Sequence, residues 1–259
     1  MKRTDTVQNT KQATCFPSEE ISRLVIGLCA LITLTSCVTA SNGFYIYYQD
    51  QAGPTITNLP PYSGSTKILT TTEANTINDE KNVMRNGYAL IGVSHFQGPT
   101  QLQSALMSQA KKVGADVVLY SCQYLGSKQT EVPIVQYHPA QTHTTTTKGT
   151  VQRYQYGAEF FRRMPPVIFG VMVLPLPNEI RQQLEKNTGA FVYVVVNDSP
   201  AFNADILEGD VILKMNGENV ESVSDFVEKY RRLVGQKVDL EIWRDGQFRT
   251  NYVQLNNKS

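Results

Sequence analysis

Few side chains in this 259-residue chain are placed to do chemistry. His138 and His143 stand five apart in a threonine-rich stretch, and His95 lies well upstream. Zinc takes three or four protein ligands held by supporting contacts. No carboxylate or cysteine lies near the pair, so these read as solvated loop histidines, and no metal is expected. A phosphate-cradling loop needs the order G-x-G-x-x-G, which IGVSHFQG lacks, so no cofactor is expected either. A formal charge of +1 gives no footing for nucleic acid.

The cysteines say more through their positions. Lys2, Arg3, Lys11 and Arg23 precede an apolar run, LVIGLCALITL, from Leu24 to Leu34. A bilayer span takes about 20 residues, so this run suits a secretory signal instead. It ends in Leu34-Thr35-Ser36-Cys37, which resembles the bacterial lipobox, and that resemblance makes Cys37 the site of lipidation. Residues 1–36 would then be a lipoprotein signal peptide, taking Cys15 and Cys29 with it. Cys122 would remain alone as a small core residue, without an intrachain disulfide. The mature chain would carry no net charge and no polybasic stretch after Cys37, so its anchor would rest on acyl chains. By analogy with lipoprotein sorting, Val38 after the cysteine favours the outer membrane over inner-membrane retention, with the chain facing the periplasm.

The elements that must position any site follow from periodicity. Residues 37–71, rich in Thr, Pro, Gly and Tyr, read as a tether, with GFYIYY as a possible short strand. A small α/β domain is expected over 72–137. NDEKNVMRNG is a short helix closed by Gly87, and YALIGVSHF (Tyr88 to Phe96) is a strand. Thr100 is placed to cap a helix whose apolar residues Leu102, Ala105, Leu106, Ala110 and Val113 share one face, with Gly114 ending it. A strand from Asp116 to Leu125 is expected to turn at Gly126-Ser127 into TEVPIVQY. Residues 138–161 read as a threonine-rich loop or a long exposed hairpin.

Composition shifts again at Arg162, and residues 162–259 carry an ordered set of motifs. GAFVYVVV is followed by Ser199-Pro200-Ala201, then Glu208-Gly209-Asp210-Val211-Ile212, Asn216-Gly217, and two strands joined at Asp245-Gly246. This set resembles a PDZ domain of the kind attached to HtrA (DegP-like) bacterial proteases. The family usually has Ala-Gly-Leu where this chain has Ala204-Asp205-Ile206. That puts an aspartate where a glycine commonly takes positive φ.

The fold class implied is α+β: a lipoprotein signal, a small α/β domain, and a C-terminal PDZ domain built as a small β-barrel or sandwich capped by helices. The resemblance also implies a peptide site. The family's carboxylate loop, apolar-apolar-Gly-apolar, matches Ile168-Phe169-Gly170-Val171. The amides of Phe169, Gly170 and Val171 are then the expected donors to a peptide carboxylate. Arg162 or Arg163 could add charge unless Pro165-Pro166 turns them away. The strand from Val171 would be the docking edge, and the helix near Ser224 to Leu233 the opposite wall. The expected groove residues are Met172, Val173, Val227 and Tyr230, with a preference for a hydrophobic last ligand residue. Pro175 and Pro177 shorten the usable edge.

No catalytic residues are expected, because the protease family's Gly-x-Ser-Gly-Gly motif is nowhere in the chain. The expected function is therefore that of a lipid-anchored binding module, not an enzyme. Its partners would be C-termini or exposed strands of envelope proteins, with the membrane reached through Cys37 and a homo-oligomer possible. The alternatives are a structural scaffold whose groove is filled by residues 140–156 or blocked by the first domain, or an enzyme of unknown type in the α/β domain.

Overall fold

A computed structural model describes residues 41–53, 62, 64–138 and 141–257. The expected signal segment and Cys37 lie outside the described residues. The chain divides into two compact units. The first takes residues through Gln51, a segment ending at Glu73, and Ile91–Phe160; the second includes Ala74–Leu90 and everything from Phe161.

In the first unit, Asn42 caps a single turn of helix, α1 (Gly43–Ile46), by accepting from the Tyr45 amide. Strand β1 (Tyr48–Asp50) follows. Next come β2 (Lys67–Thr70) and, after a segment of the second unit, β3 (Tyr88–Gly98). The sheet is completed by β4 (Val117–His138) and β5 (Gln141–Arg163), in the order β1-β3-β5-β4-β2. Strand β1 runs antiparallel to β3, and β2 runs parallel to β4. Two residues join β4 to β5, too few for a parallel crossover, so the pair is a long hairpin.

The core gathers around Phe44, which is fully buried and meets Phe96, Tyr156 and Tyr120 edge-on at 5.2, 5.7 and 6.1 Å between centroids. The tether expected over 37–71 is therefore corrected over its described part: Asn42 caps a helix whose buried Phe44 ring ties this segment into the core. Two further expectations change. The cap of the second long helix is Leu102, not Thr100. The turn expected at Gly126-Ser127 does not form; Gly126 takes a positive φ of 113°, yet β4 continues through it, paired with β5. Cys122, expected to be unpaired, is disulfide-bonded.

In the second unit, a sheet runs in the order β11-β10-β8-β7-β6, with β9 paired to β8. Its strands are β6 (Val171–Leu174), β7 (Ala190–Val195), β8 (Val211–Met215), β9 (Glu218–Asn219), β10 (Lys237–Arg244) and β11 (Gln247–Gln254). The tight turns fall where expected, with Asn216-Gly217 at φ 50° and 79° and Asp245-Gly246 at 49° and 83°.

One face of this sheet buries Phe169, Ala190, Val192, Ile212, Met215, Phe226, Leu240 and Ile242. The other buries Leu176, Val211, Leu213 and Trp243. Four helices complete the unit: α2 (Thr76–Arg85), α4 (Asn178–Leu184), α5 (Pro200–Asn203) and α6 (Val223–Arg232), with α3 (Gln103–Val113) belonging to the first unit. Helix α2 is thus separated from the 72–137 stretch in which the sequence placed it. Its Arg85 carbonyl accepts from the Asn197 amide at 2.8 Å, and the Gly87 carbonyl accepts from the Met164 amide at 2.9 Å.

Candidate functional site

The site is built around a row of carbonyls that all turn inward. The Asn256 side-chain amide donates to the Val167 carbonyl at 2.9 Å, and the Asn256 backbone amide to Ile168 at 3.0 Å. The Ala201 amide donates to Phe169, and the Val196 amide to Gly170, each at 2.9 Å. With the carbonyls held by β7, α5 and the chain after β11, the intervening amides turn the other way. Among the described residues, the amides of Phe169 and Gly170 meet no acceptor.

Gly170 is required twice over. Its φ is +91°, and a Cβ built there would sit 2.1 Å from Ser199 Cβ. Ser199 is itself fixed, because its hydroxyl caps α5 by accepting from the Phe202 amide.

Beyond the loop, β6 stands at the edge of its sheet with β7 as its neighbour. The Val196-to-Gly170 bond makes Val171 and Val195 a non-hydrogen-bonded pair in the antiparallel register. The amide and carbonyl of Val171 consequently face away from β7, toward the open edge. The amides at 169, 170 and 171 are thus not spent on β7.

Apolar side chains lie between this loop and α6. Phe169 meets Phe226 edge-on at 5.3 Å and Tyr230 at 5.8 Å, and Phe226 and Tyr230 are 5.4 Å apart. Phe169 and Phe226 are buried, whereas Val171, Val173, Val227, Tyr230 and Leu233 are half-buried against the same core. Helix α6 starts at Ser222, which accepts from the Asp225 amide, and is held near its middle by the Lys229–Asp225 ion pair.

Of the expected groove residues, Val173, Val227 and Tyr230 pack on this face together with Val171. Met172 does not. It pairs across the strand with Val194, which is fully buried but lies outside that core cluster, so both side chains occupy the opposite face. Arg163 does not supplement the loop either; its guanidinium lies 5.1 Å from the Tyr88 ring centroid.

The departure at Asp205 has a structural account. Asp205 takes φ 56° at the end of α5. Its carbonyl accepts from Arg244 at 2.6 Å and its carboxylate lies 3.3 Å from the same guanidinium. Arg244 also grips the buried Asp210 through two bonds of 2.6 and 2.8 Å. The Asp210 hydrogen bond, with help from Asp205, raises the guanidinium above its usual value.

A contact that sequence reasoning missed holds α2 to this unit. Glu208 accepts from Arg85 Nε and a terminal nitrogen, both at 2.7 Å, and lies 3.5 Å from Lys81. Lys81 also sits 4.3 Å from the Tyr193 ring centroid, on β7. Burial alone would raise the Glu208 carboxyl, but the Arg85 bond and the two cations outweigh it and hold the carboxyl below its usual range. Lys81 and Arg85 stand four apart on one helix face, a visible signal, but their partner is more than a hundred residues away.

No group of three or more His, Cys, Asp or Glu residues is placed to hold a metal among the described residues. A concavity of about 570 Å³ is lined by Ile180, Leu184, Trp243 and Phe248 among others.

Residues 173–255 match the PDZ domain family. A probable periplasmic serine endoprotease, DegP-like, of Marinomonas sp. (strain MWYL1) is 33% identical over 93 residues, covering 33% of this chain and 19% of that protein. A second relative so described, from Chlamydia muridarum, is 37% identical over 82 residues, covering 30% of this chain and 16% of its own. The chain thus spans less than a fifth of the length of these relatives.

Among solved structures, the HtrA3 PDZ domain bound to a phage-derived ligand (FGRWV) is 22% identical with a TM-score of 0.31, covering 35% of this chain and 85% of that one. The HtrA-type protease AlgW with tripeptide is also 22% identical, with a TM-score of 0.31 and 40% of each chain covered. Residues 173–255 thus match the PDZ domain family, and the C-terminal part of this chain is similar in sequence to DegP-like endoproteases.

Proposed function

We propose that this chain is a lipid-anchored, periplasm-facing binding module whose PDZ groove recognises C-termini or exposed strands of envelope proteins. The observation that carries the reading is the outward-facing amide row at Phe169, Gly170 and Val171, beside the open β6 edge and facing Val227 and Tyr230 on α6. A ligand strand adds antiparallel to β6 and its terminal carboxylate accepts from those amides. Its last side chain enters the apolar space over Phe169, Phe226 and Tyr230, which favours a hydrophobic terminus. Pro175 and Pro177 end the pairing early, so affinity is expected in the micromolar range, about −8 kcal/mol.

The proposed periplasmic placement and anchor at Cys37 on the outer membrane are supported by the signal-like N-terminus, by Val38, and by the similarity to probable periplasmic endoproteases. Proteolysis is not part of the proposal, since the resemblance stops at the PDZ module and the chain lacks the Gly-x-Ser-Gly-Gly motif.

Residues 141–163 form β5, which pairs with β3 and β4 in its own sheet, whereas β6 has β7 as its neighbour in the other.

The test is selection of a C-terminal peptide library on the full chain. A fragment starting at Arg162 is unsuitable, because it would lack α2. Enrichment of hydrophobic termini, abolished by Val227→Asp, is the expected result. No enrichment, or equal enrichment by the variant, contradicts the proposal.

A further inference from the structure

The proposed lipid anchor and the position of α1 in the chain together raise the question of what lies against the bilayer. Asn42, the cap of α1, lies only five positions after Cys37. Five residues reach at most about 18 Å when extended. An acyl chain on Cys37 would therefore hold α1 close to the lipid headgroups, with no room for a stalk.

The surface of α1 is unusual for one facing water. Tyr45, Ile46 and Tyr47 are each more than half exposed, at 53%, 55% and 52%. Leu102 is exposed to the same degree, 55%, and belongs to the same patch. Its neighbour Gln101 accepts from the Gly43 amide at 3.2 Å, and Asn42 donates to the Ala105 carbonyl at 2.9 Å. Single exposed apolar side chains need no explanation, but a contiguous set of this kind marks an interaction surface.

The charges beside the patch have one sign. Lys112 lies 3.8 Å from the Tyr45 ring centroid, and Lys111 precedes it in the last turn of α3. Neither α1 nor α3 contains an acidic residue. The basic residues missing from the sequence after Cys37 are thus supplied from more than seventy residues downstream, by folding. Tyrosines at a polar–apolar boundary, an aliphatic pair and flanking lysines are the composition that sits in an anionic lipid interface.

We propose that the patch of Tyr45, Ile46, Tyr47 and Leu102, with Lys111 and Lys112, docks the first unit onto the surface of an anionic phospholipid bilayer. Its placement beside the bilayer rests on the lipidation of Cys37, which the experiment reads separately.

The full chain carrying Ile46→Trp is purified from membranes and returned to phosphatidylethanolamine–phosphatidylglycerol vesicles, with or without brominated acyl chains. The added emission is taken as the difference from the parent chain, which has one tryptophan. Mass spectrometry of the same material reads acylation at Cys37.

The expected result is that the added emission is blue-shifted by vesicles and largely quenched by the brominated lipid. Lys111→Glu with Lys112→Glu should relieve that quenching. An unquenched emission from chains acylated at Cys37 overturns the docking patch and leaves the anchor standing. Quenching without acylation keeps the patch and removes the anchor. Emission already blue-shifted without vesicles, and varying with protein concentration, assigns the patch to a second copy of the chain and overturns the proposal.

Discussion

Adding one methyl group at Gly170 should damage both the second unit and its proposed site. The backbone there has φ +91°, where an L side chain costs about 1–2 kcal/mol. The new Cβ would also meet Ser199 Cβ at 2.1 Å and its Oγ at 2.3 Å, distances that force movement. Ser199 cannot retreat freely, because it is 2% exposed and its hydroxyl caps α5; losing such a cap costs about 1 kcal/mol. Gly170→Ala should therefore destabilise the unit by about 2–3 kcal/mol in total.

The assay is urea unfolding of the full chain followed by intrinsic fluorescence. The single tryptophan, Trp243, lies in the second unit and reports on it alone. Gly209→Ala is the control. Gly209 also has positive φ, 96°, but nothing lies within 4 Å of its would-be Cβ, so it should cost only the backbone part. Ser199→Gly added to Gly170→Ala removes the obstructing atoms and should recover part of the loss. A Gly170→Ala chain within about 0.5 kcal/mol of the parent, the ordinary range for a neutral surface change, would refute the claim that Ser199 closes the back of the loop.

Other perturbations probe separate contacts. Arg85→Ala and Glu208→Ala should show a coupling of about 1 kcal/mol in a double-mutant cycle read by Trp243 unfolding, as fits a bidentate but partly exposed pair. Because the Glu208 carboxyl is held below its ordinary value of 4.5, its contribution is full above that pH. It should fade as pH falls through the lowered value, and the acid limb of stability should flatten in Glu208→Gln. Asp210→Ala should cost about 3 kcal/mol, because it removes two of the bonds that hold the largely buried Arg244 and its main counter-charge, whereas Asp205→Gly should be near neutral in the same assay.

What the sequence made legible was local. Asn216-Gly217 and Asp245-Gly246 announce their hairpins because positive φ at both turn positions restricts which residues fit. Gly170 and Asp205 were legible for the same reason, each being a position where backbone geometry limits the side chain. Contacts made at long range were not legible. Phe44 buries itself among Phe96, Tyr120 and Tyr156, and nothing within GFYIYY announces those partners. Helix α2 reads as part of the stretch that follows it until Glu208 claims Lys81 and Arg85. Gly126-Ser127 looks like a turn when read alone, but pairing with β5 carries the strand through it. Met172 was assigned to the groove with Val173, although strand alternation sends neighbouring side chains to opposite faces.

The central claim, that the amides of Phe169, Gly170 and Val171 receive a terminal carboxylate, is tested most directly by a matched pair of ligands. One selected peptide with a hydrophobic last residue is titrated calorimetrically into the full chain, first as the free acid and then as the C-terminal amide. Charge-assisted hydrogen bonds contribute about 1.5–3 kcal/mol, so the amide should bind about 10- to 100-fold more weakly. Equal affinity for acid and amide would contradict the account, because it would mean that the loop at Gly170 does not read the chain end.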